Sequence, residues 1–89
     1  MNLLEKSLDE LTDFFDSHSQ NALKILGDVL GDFYDNLHKG KSRTNDRINS
    51  EKITALIDYI KKKGYANQTD IDRYTRTYRS LLDEFKLKS

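Results

Sequence analysis

The chain has 89 residues, enough for one domain (1–89) and little more. It has no cysteine, which excludes disulfide staples and thiolate metal sites. Charged residues make up 34% and cancel to zero, while 36% are hydrophobic, too many for a disordered chain once their regular spacing is counted. A core this small is marginal, so helix packing must supply most of the stability, and a homodimer would give the core more surface to bury.

The charge is unevenly placed. Residues 1–38 hold eight acids and two bases, and residues 39–89 hold thirteen bases and seven acids. One reading is that acidic helices lie beside basic ones and the charges meet at the rim. The other is a dipolar surface with a partner at each end.

The first predicted helix covers about 2–17. Leu4, Leu8, Leu11 and Phe15 step by 4, 3 and 4, the spacing of one helical face. The same stretch is acidic, without a basic leader or a long apolar run, so neither a signal peptide nor a membrane span is expected, and the cytoplasm is the expected compartment. Ser17-His18-Ser19-Gln20 is a polar break, with Ser19 as the expected N-cap of the next helix. A single helix over 2–38 is the alternative, since no Gly or Pro forbids it.

The second helix covers about 20–38. Ala22, Ile25, Leu26, Val29, Phe33 and Leu37 share a face, which makes this the most apolar element. Gly27 and Gly31 form a flat strip where another helix can approach. Because each costs a helix about 1 kcal/mol relative to Ala, a packing reason is expected.

Residues 38–49 read as a basic loop carrying Lys39, Lys41, Arg43 and Arg47, with Gly40 ending the helix before it. The third helix is predicted over 50–63, capped by Asn49 or Ser50, with Ile53, Leu56, Ile57 and Ile60 as its buried stripe. Lys61, Lys62 and Lys63 oppose the helix dipole in the last turn, and Gly64 suits the position after it. The fourth helix is predicted over 68–87, capped by Asn67 or Thr69. There Ile71, Tyr74, Tyr78, Leu81 and Phe85 alternate steps of 3 and 4, as in a helix-packing seam.

Catalytic constellations are missing. No glycine-rich phosphate loop, no Ser/His/Asp set and no Glu-x-x-His metal pair is present, so neither a catalytic residue nor a metal nor a cofactor is expected. The candidate contact residues are the cations Lys39, Lys41, Arg43, Arg47, Arg73, Arg76 and Arg79, which suit an acidic partner or phosphate. Tyr74 and Tyr78 could stack on single-stranded nucleic acid beside those arginines. Their seam spacing favours a core role instead, with hydroxyls reaching water.

Two resemblances bear on function. Residues 56–85, LIDYIKKKGYANQTDIDRYTRTYRSLLDEF, resemble the middle of a winged-helix or helix-turn-helix protein, which implies Arg73, Arg76 and Arg79 on phosphate. The sequence departs from that pattern in having no glycine-bearing turn between 69–74 and 76–85. The whole layout, through ALKILGDVLGDFYDNLHKGK (22–41) and KITALIDYIKKKGYANQTDIDRYTRTYRSLLDEF (52–85), is similar to the small cytoplasmic immunity proteins against class IIa bacteriocins. That likeness implies a four-helix bundle without catalysis whose C-terminal half chooses a partner.

The expected fold is all-α, a small antiparallel up-and-down bundle of four helices, or three if the first two are continuous. Its expected core is Leu8, Leu11, Phe15, Ile25, Leu26, Val29, Phe33, Ile57, Ile60, Ile71, Tyr78, Leu81 and Phe85. The expected function is non-enzymatic protein binding or regulation, bacterial or phage in style. The alternatives are a nucleic-acid-binding regulator and a self-assembling structural subunit.

Overall fold

Ser7 divides what the apolar spacing predicts as one helix. In the computed structural model, which describes residues 2–87, its hydroxyl accepts the Glu10 N–H at 3.1 Å, and the Glu10 carboxylate accepts the Ser7 N–H at 3.0 Å. This capping box satisfies two orphan donors and starts α1 (Leu8–Ser17). The residues before it form a separate 3₁₀ turn, Leu3–Glu5, capped by the Asn2 side chain.

The break expected near 17–20 is present, so the first two helices are not continuous. α1 stops at His18, and a second 3₁₀ turn, Ser19–Asn21, leads into α2 (Ala22–Lys39). Ser19 is not the N-cap: it lies inside that turn, and no side chain caps α2. Gly40 ends α2 with φ 58°, the left-handed conformation that glycine adopts without steric cost.

The expected basic loop over 38–49 is mostly helix. α3 spans Arg43–Lys63, seven residues longer at its start than the spacing indicates. Ser42 caps it, its hydroxyl accepting the Asn45 N–H at 3.2 Å, so Asn49 and Ser50 are interior residues. The connection shrinks to Gly40, Lys41 and Ser42. Residues 43–49 were hidden because their one large apolar side chain, Ile48, is 46% exposed and marks no buried stripe. Gly64, at φ 70°, ends α3, with the Tyr65 N–H returning to the Ile60 carbonyl.

α4 spans Gln68–Glu84, three residues short of the expected end. Asn67 is its cap, its side-chain oxygen accepting the Asp70 N–H at 2.9 Å. At the other end Lys86 takes φ 57°, and the Leu87 N–H donates to the Leu82 carbonyl at 2.9 Å. These bonds are those of a Schellman turn, built here around a lysine.

Cross-helix contacts set the directions. Lys52 in the first half of α3 donates to the carbonyls of Leu4 and Lys6, and Tyr59 near its end reaches Asp16 at the end of α1, so α1 and α3 run parallel. Asn2 meets Asn36, so α2 runs back along α1. Arg43 donates to the Lys86 carbonyl and Tyr78 to Ser50, so α4 runs back along α3. Among the described residues the order is therefore up, down, up, down, with no strand. A radius of gyration of 12.3 Å matches the roughly 12 Å of a compact chain of this length.

Most of the expected core is buried: Leu11, Phe15, Val29, Phe33 and Ile60 are fully enclosed. Leu8 is not, at 37% exposed. The capping box makes it the first residue of α1, out of phase with Leu4 in the separate turn. Leu81 and Phe85 are half-buried at the edge of the core. Leu4, Ala22, Leu30, Leu37, Ile53, Leu56 and Leu87 complete the interior. Each of the larger aliphatic and phenyl side chains among them, fully buried, is worth about 1.5–3 kcal/mol before ordering costs.

Candidate interaction surface

The seven candidate cations do not form one patch. Lys39, Lys41, Arg43 and Arg47 are exposed around the end of the bundle where α2 passes into α3. Arg43 is engaged there, donating to the Lys86 carbonyl. Arg73 lies on the side of α4 nearest α2. Its guanidinium donates to Asp70 at 2.8 Å and sits 5.7 Å from the centre of the Tyr74 ring. Arg76 and Arg79 border a different depression, between α4 and α3, whose lining includes Asp58 and Asp72. The arginines of α4 thus divide between two sides of one helix.

The tyrosines divide as well. Tyr78 is buried, and its hydroxyl meets Ser50 O at 2.8 Å, Ser50 Oγ at 3.0 Å and Thr54 Oγ1 at 3.1 Å. It therefore joins α4 to α3 instead of reaching water, and its ring offers no face for a base. Tyr74 is half-buried against α2.

A polar cluster that the sequence did not suggest ties α1 to α3. The Asp16 carboxylate accepts the Tyr65 hydroxyl at 2.5 Å and the Tyr59 hydroxyl at 2.7 Å. Those bonds, Tyr65 first, hold the carboxyl below its ordinary value, and the same carboxylate pushes Tyr59 up to about 12 and raises Tyr65. Among the described residues Asp46 is the one buried charged residue, and its burial raises its carboxyl against the pull of Arg43. Among the described residues, no group of His, Asp or Glu is placed to hold a metal ion, and no helix is long and apolar enough to cross a membrane.

A mostly apolar depression lies between α2 and α4. Leu30, Tyr34, Tyr74 and Leu81 line a groove of about 440 Å³ whose floor is Gly27 and Gly31. A second, larger depression of about 700 Å³, towards Leu3 and Phe14, shares Gly27, Gly31 and Tyr34 with it. Tyr34 is 41% exposed and stacks edge-on with His38 at 4.4 Å, beside Phe85. The glycine pair was visible in the sequence, but its expected packing partner within the chain is only partly there. A Cβ at Gly27 would meet the Tyr74 ring at an ordinary 3.6 Å, and one at Gly31 would meet nothing within 4 Å. Comparison with protein-family models, curated proteins and solved structures returns no match to this chain.

Proposed function

We propose that this chain is a small non-enzymatic protein-binding bundle that docks a helical partner on the outward face of α2 and its groove against α4. The observation that supports this reading is the apolar groove floored by glycine, one of which nothing in the fold requires. Binding sites are concave and mostly apolar, with a few polar groups at the edge, and this groove has that make-up. A regulatory or immunity-like role would be one use of such a surface. The dispersal of the seven cations and the burial of Tyr78 speak against the nucleic-acid alternative, which needs a basic stripe with exposed rings.

The test is affinity capture with the tagged chain, before and after nuclease treatment and at rising salt, with Tyr34→Asp as the control. A stoichiometric protein should survive both treatments and be lost with Tyr34→Asp, because an apolar interface depends weakly on salt. Capture of nucleic acid alone, lost steeply with salt, would instead direct attention to Arg76, Arg79 and the basic end of the bundle.

A further inference from the structure

We infer that the depression between the first 3₁₀ turn, the end of α2 and the start of α3 binds a free α-amino acid, with Asp46 taking its ammonium group and Lys39 and Lys41 taking its carboxylate. The site is separate from the groove between α2 and α4, and the inference does not rest on what docks there.

Asp46 is the starting point. It is only 8% exposed, and among the described residues no donor of the chain hydrogen-bonds to its carboxylate. Arg43 acts on it without forming an ion pair and spends its guanidinium on the Lys86 carbonyl. A buried carboxylate without a donor destabilises the fold that holds it, and its removal from water raises its carboxyl above the ordinary value. An asparagine of the same shape would avoid that cost. The carboxylate is therefore placed for a donor that comes from outside the chain.

The surroundings select the donor. Asp46 borders an open depression of about 460 Å³, within the roughly 300–1,000 Å³ of small-molecule sites. Lys52, on one wall, is engaged by the carbonyls of Leu4 and Lys6. Lys39 and Lys41 are exposed on its border and, among the described residues, have no partner. The side-chain amides of Asn45 and Asn49 also line it, unused by the fold, and each can both donate and accept. Glu5, the second acid of the lining, is exposed, so solvent screens its pull.

Simple ions fit this mixture poorly. A metal ion or a polyamine would meet the carboxylate but be repelled by the lysines. Phosphate would suit the lysines and leave Asp46 unpaired beside a like charge. A sugar would find hydrogen bonds but, among the described lining residues, no aromatic ring to stack on. An α-amino acid carries an ammonium and a carboxylate on one carbon atom. It answers both signs at once and adds no net charge to the site.

NMR titration of the full chain with each of the proteinogenic amino acids, read at the amides of residues 42–49, tests the inference. At least one amino acid should saturate the site with a millimolar or tighter Kd. Its methyl ester keeps only the ammonium and its N-acetyl form only the carboxylate, so each should bind about tenfold more weakly. Asp46→Asn should also lose about tenfold while melting no lower than the parent, because it removes the unpartnered charge. Lys39→Ala combined with Lys41→Ala should lose a similar factor and leave the melting unchanged. Saturation by no amino acid would overturn the inference, as would affinity unmoved by Asp46→Asn, or an ester and an N-acetyl form that bind as well as the zwitterion. Inorganic phosphate or magnesium shifting the same amides in preference to every amino acid would overturn it too, and would make the depression a simple ion site.

Discussion

Asp16 sits on an exposed face of α1, where spacing alone makes it one more solvated acid. Its role comes from residues 43 and 49 positions away, Tyr59 and Tyr65, which no local pattern connects to it. The cluster gives stability a definite pH profile. A carboxyl held below its ordinary value contributes above that value and loses the contribution as pH falls through the depressed pKa. A phenol raised to about 12 contributes below its ordinary pKa and loses the contribution as pH rises through the raised one. The plateau therefore runs from about pH 4 to about pH 10. Thermal unfolding of the parent and Asp16→Asn across this range should show a constant gap on the plateau that closes at both ends. A gap independent of pH throughout would mean that the carboxylate charge plays no part. Asp16 is exposed and the two tyrosines are only half-buried, so the gap should be small.

At the scale of the elements, single residues with strong conformational roles could be read directly. Gly40 and Gly64 end helices where the sequence places them, and Asn67 caps α4. Ser7 and Glu10 have the spacing of a capping box, yet the apolar stripe from Leu4 to Phe15 runs across them and reads as one helix. The start of α3 is hidden for the opposite reason: a helix segment that buries almost nothing leaves no stripe, and Thr44, Asn45, Asp46 and Asn49 rank low in helix propensity, so neither signal marks it. The end of α4 yields a prediction of its own. Lys86 holds a left-handed conformation that favours glycine by about 1 kcal/mol. Lys86→Gly should therefore raise the thermal midpoint by several degrees, since about 1 kcal/mol shifts a domain of this size by roughly 4–8 °C. No change on calorimetry would mean that the turn is relaxed around lysine.

For the whole molecule, the seam spacings were enough for an all-α bundle, because burying one stripe per helix leaves few other solutions. The surface was harder. Counting cations along the chain ignores helix phase: Arg73, Arg76 and Arg79 recur every three residues, and each step falls about 60° short of a full turn. That drift carries the row from the α2 side to the α3 side. The acidic and basic halves also fail to pair as a rim. Among the described residues no ion pair joins them, and the Arg73–Asp70 pair lies within α4. The halves are joined by hydroxyls on Asp16 and by Lys52 on backbone carbonyls.

The opening turns of α3 give the molecule two tiers of stability. From Arg43 to Asn49 the only buried side chain is a carboxylate, whereas from Ile53 to Ile60 the helix is anchored by four enclosed aliphatic residues. Little free energy holds the first segment, so it should unfold locally while the rest of the bundle remains intact. Arg43 also grips the Lys86 carbonyl, so each such opening releases the carboxy-terminal turn with it. Native-state hydrogen exchange should find the amides of 43–49 opening well below the global free energy, with the Leu87 amide following them as one cooperative unit. Arg43→Ala should uncouple the two, leaving a chain whose last turn frays on its own schedule.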